Sequence, residues 1–152
     1  MTAREISFHI TKNRKIVREG DVEVRLDGKV ALVTGATQGI GRAIAEILAK
    51  SGVSGLVITG RDAKRGNAVA DEIRMHGPEV LFVAADLASP ETPERLVQVC
   101  LDRFGRIDAL ANAAGLTNRA SFLDATLDDW ATLFDVNARA PFFLMQHAIK
   151  AM

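Results

Sequence analysis

The sequence predicts an α/β fold, a doubly wound parallel sheet with helices on both faces. Two observations carry this expectation. From Asp27 onward, short β-branched runs alternate with longer segments of helical period. A glycine triplet, Gly35, Gly39 and Gly41, falls where the first such run hands over to the first helical segment. Length and composition agree: 152 residues suit one domain, and 48% hydrophobic with 25% charged residues is an ordinary globule, not a disordered or fibrous chain. Lys plus Arg equal Asp plus Glu at 19 each, so no net field draws the chain to nucleic acid or an anionic membrane.

Residues 1–26 read as an N-terminal extension. Arg4, Lys12, Arg14, Lys15 and Arg18 are nearly neutralised there by Glu5, Glu19, Asp21 and Glu23, which favours a surface arm over a phosphate-binding one. The domain proper spans 27–152. Its first strand is Val30–Thr34, apolar on both faces as a strand between two helix layers must be. Ile40, Ala43, Ile44, Ile47 and Leu48 then recur at helical spacing and predict an apolar stripe on a helix that stops near Gly52. The second strand is Leu56–Thr59, followed by a helix from about Asp62 to Met75 that Gly77-Pro78 closes. The third is Val80–Ala84. Thr92 is expected as an N-cap, with Pro93 at the first helical position and Glu94 in the first turn, of a helix to Phe104 that stacks Leu96, Cys100 and Phe104 on one face. Cys100 therefore reads as core, not nucleophile. Ile107–Ala111 is the fourth strand, and Thr126 with Asp129 forms a capping-box-like start to a last helix carrying Trp130, Leu133 and Phe134.

The chemistry begins at Thr34-Gly35-Ala36-Thr37-Gln38-Gly39-Ile40-Gly41. Glycines at a strand-to-helix turn let the backbone turn tightly and approach a pyrophosphate, and the free N–H groups of a helix start bind the anion. The spacing is not G-x-G-x-x-G. Nor is it a Walker A loop, because Arg42 stands where Lys followed by Ser or Thr is required, which argues against nucleoside triphosphate chemistry. In order and context the segment resembles the short-chain dehydrogenase/reductase family, over about Gly28 to Met152. Leu110-Ala111-Asn112-Ala113-Ala114-Gly115 resembles that family's Asn-Asn-Ala-Gly motif with alanine in one place, and Asp86-Leu87 stands where the family borders the adenine.

The resemblance implies a Rossmann-like sheet of order 3-2-1-4, with the cofactor in the crevice between the ends of strands one and four. The implied cofactor-binding residues are Gly35, Thr37, Gln38, Gly39, Ile40, Gly41, Arg61, Asp86, Leu87, Asn112, Ala113, Ala114 and Gly115. Cofactor choice follows from charge. Thr59-Gly60-Arg61-Asp62 offers glycine where an NAD enzyme places an acid for the ribose, and Arg61 can meet a 2′-phosphate, so NADP is preferred. A shift of one residue would put Asp62 near the ribose and restore NAD, although a helix N-cap explains Asp62 better. Within Asp135-Val136-Asn137, Asn137 is the implied catalytic contributor, through a backbone carbonyl that holds a water of the proton relay. Pro141, four residues on, has no N–H for that carbonyl. Alternatively, Pro141 simply ends one helix and starts another.

His9, His76 and His147 lie in separate elements and do not form a metal site. Asp128-Asp129 are helix-start acids that diverge around the axis, not a catalytic pair. One cysteine and a start without an apolar leader point to the cytoplasm, and no apolar run reaches the eighteen or so residues of a membrane span. The family transfers hydride with a Ser, a Tyr and a Lys after the fifth strand. This chain has no tyrosine. The expectation is an incomplete domain, truncated before the fifth strand, with the fourth as an open edge and Phe142, Phe143 and Met145 partly exposed; the alternative is a naturally short chain. The implied parent activity is NADP-dependent interconversion of a small carbonyl and alcohol by a homo-oligomeric oxidoreductase. The rivals are a catalytically silent dinucleotide-binding module that senses cofactor or pairs with a second chain, and an unligated fragment.

Overall fold

A computed structural model describes residues 24–118 and 121–152. The basic arm, residues 1–23 of the expected extension, lies outside the described residues. Four strands, β1 Val30–Thr34, β2 Gly55–Gly60, β3 Glu79–Ala84 and β4 Ala109–Asn112, form one parallel sheet in the order β3-β2-β1-β4. Val30 pairs with Gly55, Gly55 with Glu79, and Ala31 with Ala109, so all four carboxyl ends lie on one side. β1 is buried at every residue because a helix layer covers each face. One core joins Val33, Leu56 and Ile58 to α1 (Gly39–Lys50) and α2 (Ala63–Arg74). The other joins Leu32 and Val57 to α3 (Thr92–Phe104) and α5 (Ala140–Ala151).

The face that α1 buries differs from the expected stripe. Ile40 and Ile47 are exposed, Ala43 too, and the buried positions are Gly41, Ala45 and Ala49, with Ile44 and Leu48 at the flanks. Small residues at i, i+4 and i+8 let the helix axis approach the sheet closely, and that packing outweighs the burial of two larger side chains. α2 starts as expected: the Asp62 carboxylate accepts the Arg65 N–H at 2.9 Å, and this bond holds the Asp62 carboxyl below the usual range. Thr92 is not the N-cap of α3. Glu91 occupies that position, and the Thr92 hydroxyl instead donates to the Asp86 carbonyl at 2.7 Å, fastening the helix start to the turn after β3.

β4 begins two residues later than the hydrophobic run suggests. Ile107 is core, but Asp108 accepts the Val30 N–H at 2.9 Å and is gripped by Arg106, whose hydrogen bonds chiefly hold its carboxyl well below the usual range. The capping box is present: Thr126 and Asp129 exchange hydrogen bonds at the start of α4 (Leu127–Phe134). α4 passes through a single π turn, Asp135–Arg139, directly into α5. None of α4 is buried. Trp130 stacks on Phe134 at 4.5 Å, and Phe142, Phe143 and Met145 are partly exposed. β4 ends the sheet, with no strand beyond it among the described residues. Among the described residues no helix is long and apolar enough to cross a membrane, and no cluster of metal-ligating side chains occurs.

Cys100 sits on the buried face of α3 with no exposed surface, and desolvation pushes its thiol up to about 12. Its alkylation by iodoacetamide at pH 8 is expected to be at least about a hundredfold slower than that of free cysteine and to recover in denaturant. Rapid labelling of the folded chain would place Cys100 outside the core.

Candidate functional site

The carboxyl ends of β1 and β4 lie where the strand order reverses, and a cleft of about 460 Å³ opens there. Its floor is a close meeting of three backbones. Gly35 (φ 64°) follows β1, and a Cβ there would stand 2.6 Å from the Cα of Ala114; a Cβ on Gly41 would run into the Gly35 carbonyl oxygen. Only glycine allows these approaches. Thr34 knots the same region. Its hydroxyl, almost fully buried, accepts the N–H groups of both Ala113 and Ala114 at 3.2 Å, which holds the turn after β4 against the end of β1.

The wall includes Gly35 and the run Thr37 to Gly41, together with Arg61, Asp86, Leu87 and Ala113 to Gly115. Two expected residues stand off it. Asn112 is exposed in register with Thr34, and Asn137 is exposed in the segment after α4; neither lines the cleft. Asn137 sits in the π turn, and Pro141, in the first turn of α5, supplies no N–H to its carbonyl. The Asn137 side chain acts elsewhere: Oδ1 accepts the Leu116 N–H at 2.8 Å and Nδ2 donates to the Leu116 carbonyl at 2.7 Å, clamping the segment that carries Gly115.

α1 starts without a side-chain cap and without an acid in its first turn, so its leading N–H groups face the cleft unneutralised. Gly39 has φ 56°, and the space where its Cβ would stand is open. A Cβ at Gly60 would lie 2.5 Å from Cγ2 of buried Thr37, so the end of β2 has no room for an acidic side chain unless Thr37 moves. The Thr59 hydroxyl, on the same wall, is buried with no partner among the described residues. Charge on the wall comes from Arg61, Arg65 and Asp86. Arg61 makes no hydrogen bond or ion pair among the described residues, whereas Arg65 Nη1 donates to Gln38 Oε1 at 3.0 Å. Asp86 Oδ1 accepts the Ala88 N–H at 3.0 Å, shaping its own turn.

A family model for short chain dehydrogenase matches residues 29–152. The chain belongs to the short chain dehydrogenase family. It is 40% identical over 132 residues to the 3-oxoacyl-[acyl-carrier-protein] reductase FabG of Aquifex aeolicus, covering 86% of this chain and 53% of that protein. Among solved structures, a short chain dehydrogenase from Burkholderia cenocepacia in complex with NADP superposes with a TM-score of 0.81 at 39% identity, over 84% of this chain and 52% of the other. A 3-oxoacyl-[acyl-carrier protein] reductase from Brucella melitensis in complex with NAD gives 0.74 at 42% identity, over 83% and 49%. The chain thus spans about half the length of these family members.

Reading the sequence alone missed Thr34, Arg65 and Arg139 as parts of the site. Arg139, in the π turn, pairs with Asp135 at 2.8 Å and donates to the carbonyl of Ala88, so it straps the turn after β3 to the helix that carries Asn137. The Thr34 signal was present in its position before Gly35; the two arginines become visible only when distant segments meet.

Thr34→Val removes the acceptor for two backbone donors and is expected to cost about 1–3 kcal/mol of stability. Hydrogen exchange at Ala113 and Ala114 should accelerate in that variant and stay slow in Thr34→Ser. Unchanged exchange in Thr34→Val would mean that the hydroxyl does not hold the turn.

Proposed function

We propose that this chain is the cofactor-binding part of an NADP-dependent oxidoreductase that interconverts a small-molecule carbonyl and alcohol. The observation that carries the reading is the cleft itself: a glycine loop with an uncapped helix start, at the reversal point of a parallel sheet, beside a guanidinium with no partner among the described residues. In this arrangement the N–H groups at the start of α1, with Gly35, Thr37, Gln38, Ile40 and Gly41 around them, receive the pyrophosphate, and Gly39 leaves room for it. Arg61 takes the 2′-phosphate, and the tight contact between Gly60 and Thr37 keeps an acid away from the ribose. Asp86 and Leu87 border the adenine. Ala113, Ala114 and Gly115 line the crevice toward the nicotinamide, with Asn112 supporting them from the strand end. When bound, the cofactor supplies or accepts the hydride.

Asn137 contributes by holding Leu116, and so the crevice wall, and by a carbonyl that Pro141 leaves without its usual donor, where a relay water fits. These 152 residues contain no tyrosine, so the acid or base of the family's hydride transfer is not among them, and this stretch alone binds cofactor without turnover. The same observation supports a second reading, a silent dinucleotide-binding module that senses cofactor or pairs with another chain. NADP is preferred to NAD by the chemistry of position 60 and Arg61, and relatives with either cofactor keep both in view. The proposal extends to a cytoplasmic homo-oligomer, with the exposed apolar side chains of α4 and α5 as its contact surface.

Calorimetric titration of the chain should show NADPH binding. Arg61→Gln should weaken NADPH by about tenfold and leave NADH within about twofold. Gly39→Val, which fills the open space and costs about 1–2 kcal/mol in backbone strain, should remove binding of both while the fold persists. Full NADPH affinity in Gly39→Val would mean that the pyrophosphate lies elsewhere.

A further inference from the structure

Two walls of the cleft come from segments far apart in sequence. Asp86 and Leu87 follow β3, whereas Leu116 and Thr117 follow β4 and Val136 lies in the π turn; all five line the cleft. Leu87 and Val136 belong to one apolar cluster, so the walls already share packing. Arg139 adds a polar link between them. Its Nη1 pairs with Asp135 at 2.8 Å, and its Nη2 donates to the carbonyl of Ala88, one residue past Leu87. Arg139 itself does not line the cleft.

With Asp135 beside it, the charge of Arg139 is neutralised within its own turn, which makes it a poor reader of an anionic ligand and a good strut. The turn after β3 has other supports: Asp86 Oδ1 accepts the Ala88 N–H at 3.0 Å, and the Asp86 carbonyl accepts the Thr92 hydroxyl at 2.7 Å. Those contacts stay within the turn and the start of α3. The contact from Arg139 crosses 51 residues to the π turn. Two residues before Arg139 in that turn, Asn137 grips both the N–H and the carbonyl of Leu116, at 2.8 and 2.7 Å. A short path therefore runs from Leu87 through Ala88, Arg139 and Asn137 to Leu116. Ordering one end of such a path lowers the entropy still to be lost when the other end is ordered.

We propose that Arg139 is a positioning residue that couples the two walls: a ligand seated against Leu87 firms the Asn137 clamp on Leu116, so the adenosine half of a dinucleotide prepares the crevice for its other half. The coupling rests on the dinucleotide reading above and adds a link between its two subsites.

The Leu116 N–H, bonded to Asn137 Oδ1, reports the clamp through its hydrogen exchange, and 5′-AMP supplies the adenosine half alone. Saturating 5′-AMP should slow Leu116 exchange by about fivefold in the unsubstituted chain. In Arg139→Met, which keeps the bulk and loses the donors, 5′-AMP should still bind while Leu116 exchange no longer responds to it. Arg139→Lys keeps the charge but loses the fork that holds Asp135 and Ala88 together, and should keep only part of the slowing. Full slowing in either variant would overturn the coupling, because a direct effect of the ligand on the wall, or an arginine that only stabilises the fold, gives that result. The lysine variant decides the matter if the methionine variant does not fold. If the unsubstituted chain bound 5′-AMP without any slowing, the coupling would fall and the dinucleotide site would stand. If it did not bind 5′-AMP, the dinucleotide reading would fail first and take the coupling with it.

Discussion

The structure depends on how closely three stretches of backbone approach one another at the carboxyl ends of β1 and β4. Gly35 lies against Ala114, and Gly41 lies over the carbonyl of Gly35, at distances that leave no room for a Cβ on either glycine. The Thr34 hydroxyl holds this junction by accepting two N–H groups from the turn after β4. The contact sets the floor of the cleft, points the start of α1 into it, and brings the wall contributed by β4 to face the glycine loop. Hydrophobic burial makes the sheet stable, but this junction decides what the end of the sheet can hold.

Behind it stands an arrangement that serves two cores at once. β1 sends Val33 to the side of α1 and α2 and Leu32 to the side of α3 and α5, so a change in the strand is felt in both layers. The loops over the strand ends are tied to this frame by a few polar contacts: Thr92 to Asp86, Arg139 to Ala88, Asn137 to Leu116. Two of these three come from the π turn, Asp135–Arg139, which therefore supports the turn after β3 and the turn after β4 together. A π turn where Pro141 interrupts the ordinary ladder is a physical means of aiming Asn137 and Arg139 at different loops.

Much of this was legible in the residues. The four strands, their order and the glycine turn follow from β-branched runs, helical periodicity and the resemblance, and Asp62 and Thr126 announced their helices through capping chemistry that is local in sequence. The departures have a common cause. Periodicity counts large apolar residues, so it chose Ile40 and Ile47 for the buried face of α1, whereas close packing on the sheet chose Gly41, Ala45 and Ala49. Thr92 looked like a cap because its neighbours fit the pattern, but a tertiary acceptor, the Asp86 carbonyl, took its hydroxyl. Arg65 and Arg139 each have a local carboxylate, Asp62 and Asp135, but the contact that ties each to another segment is made with a partner 27 or 51 residues away, which no local pattern announces.

Amide chemical-shift mapping of the chain on addition of NADPH probes the cleft residue by residue. The largest changes are expected on the glycine loop from Gly35 to Gly41, on Arg61 and Arg65 at the start of α2, and on Ala113 to Gly115. Changes confined to the exposed face of α4 and α5, or spread evenly over the sheet, would contradict a dinucleotide site at the junction of β1 and β4.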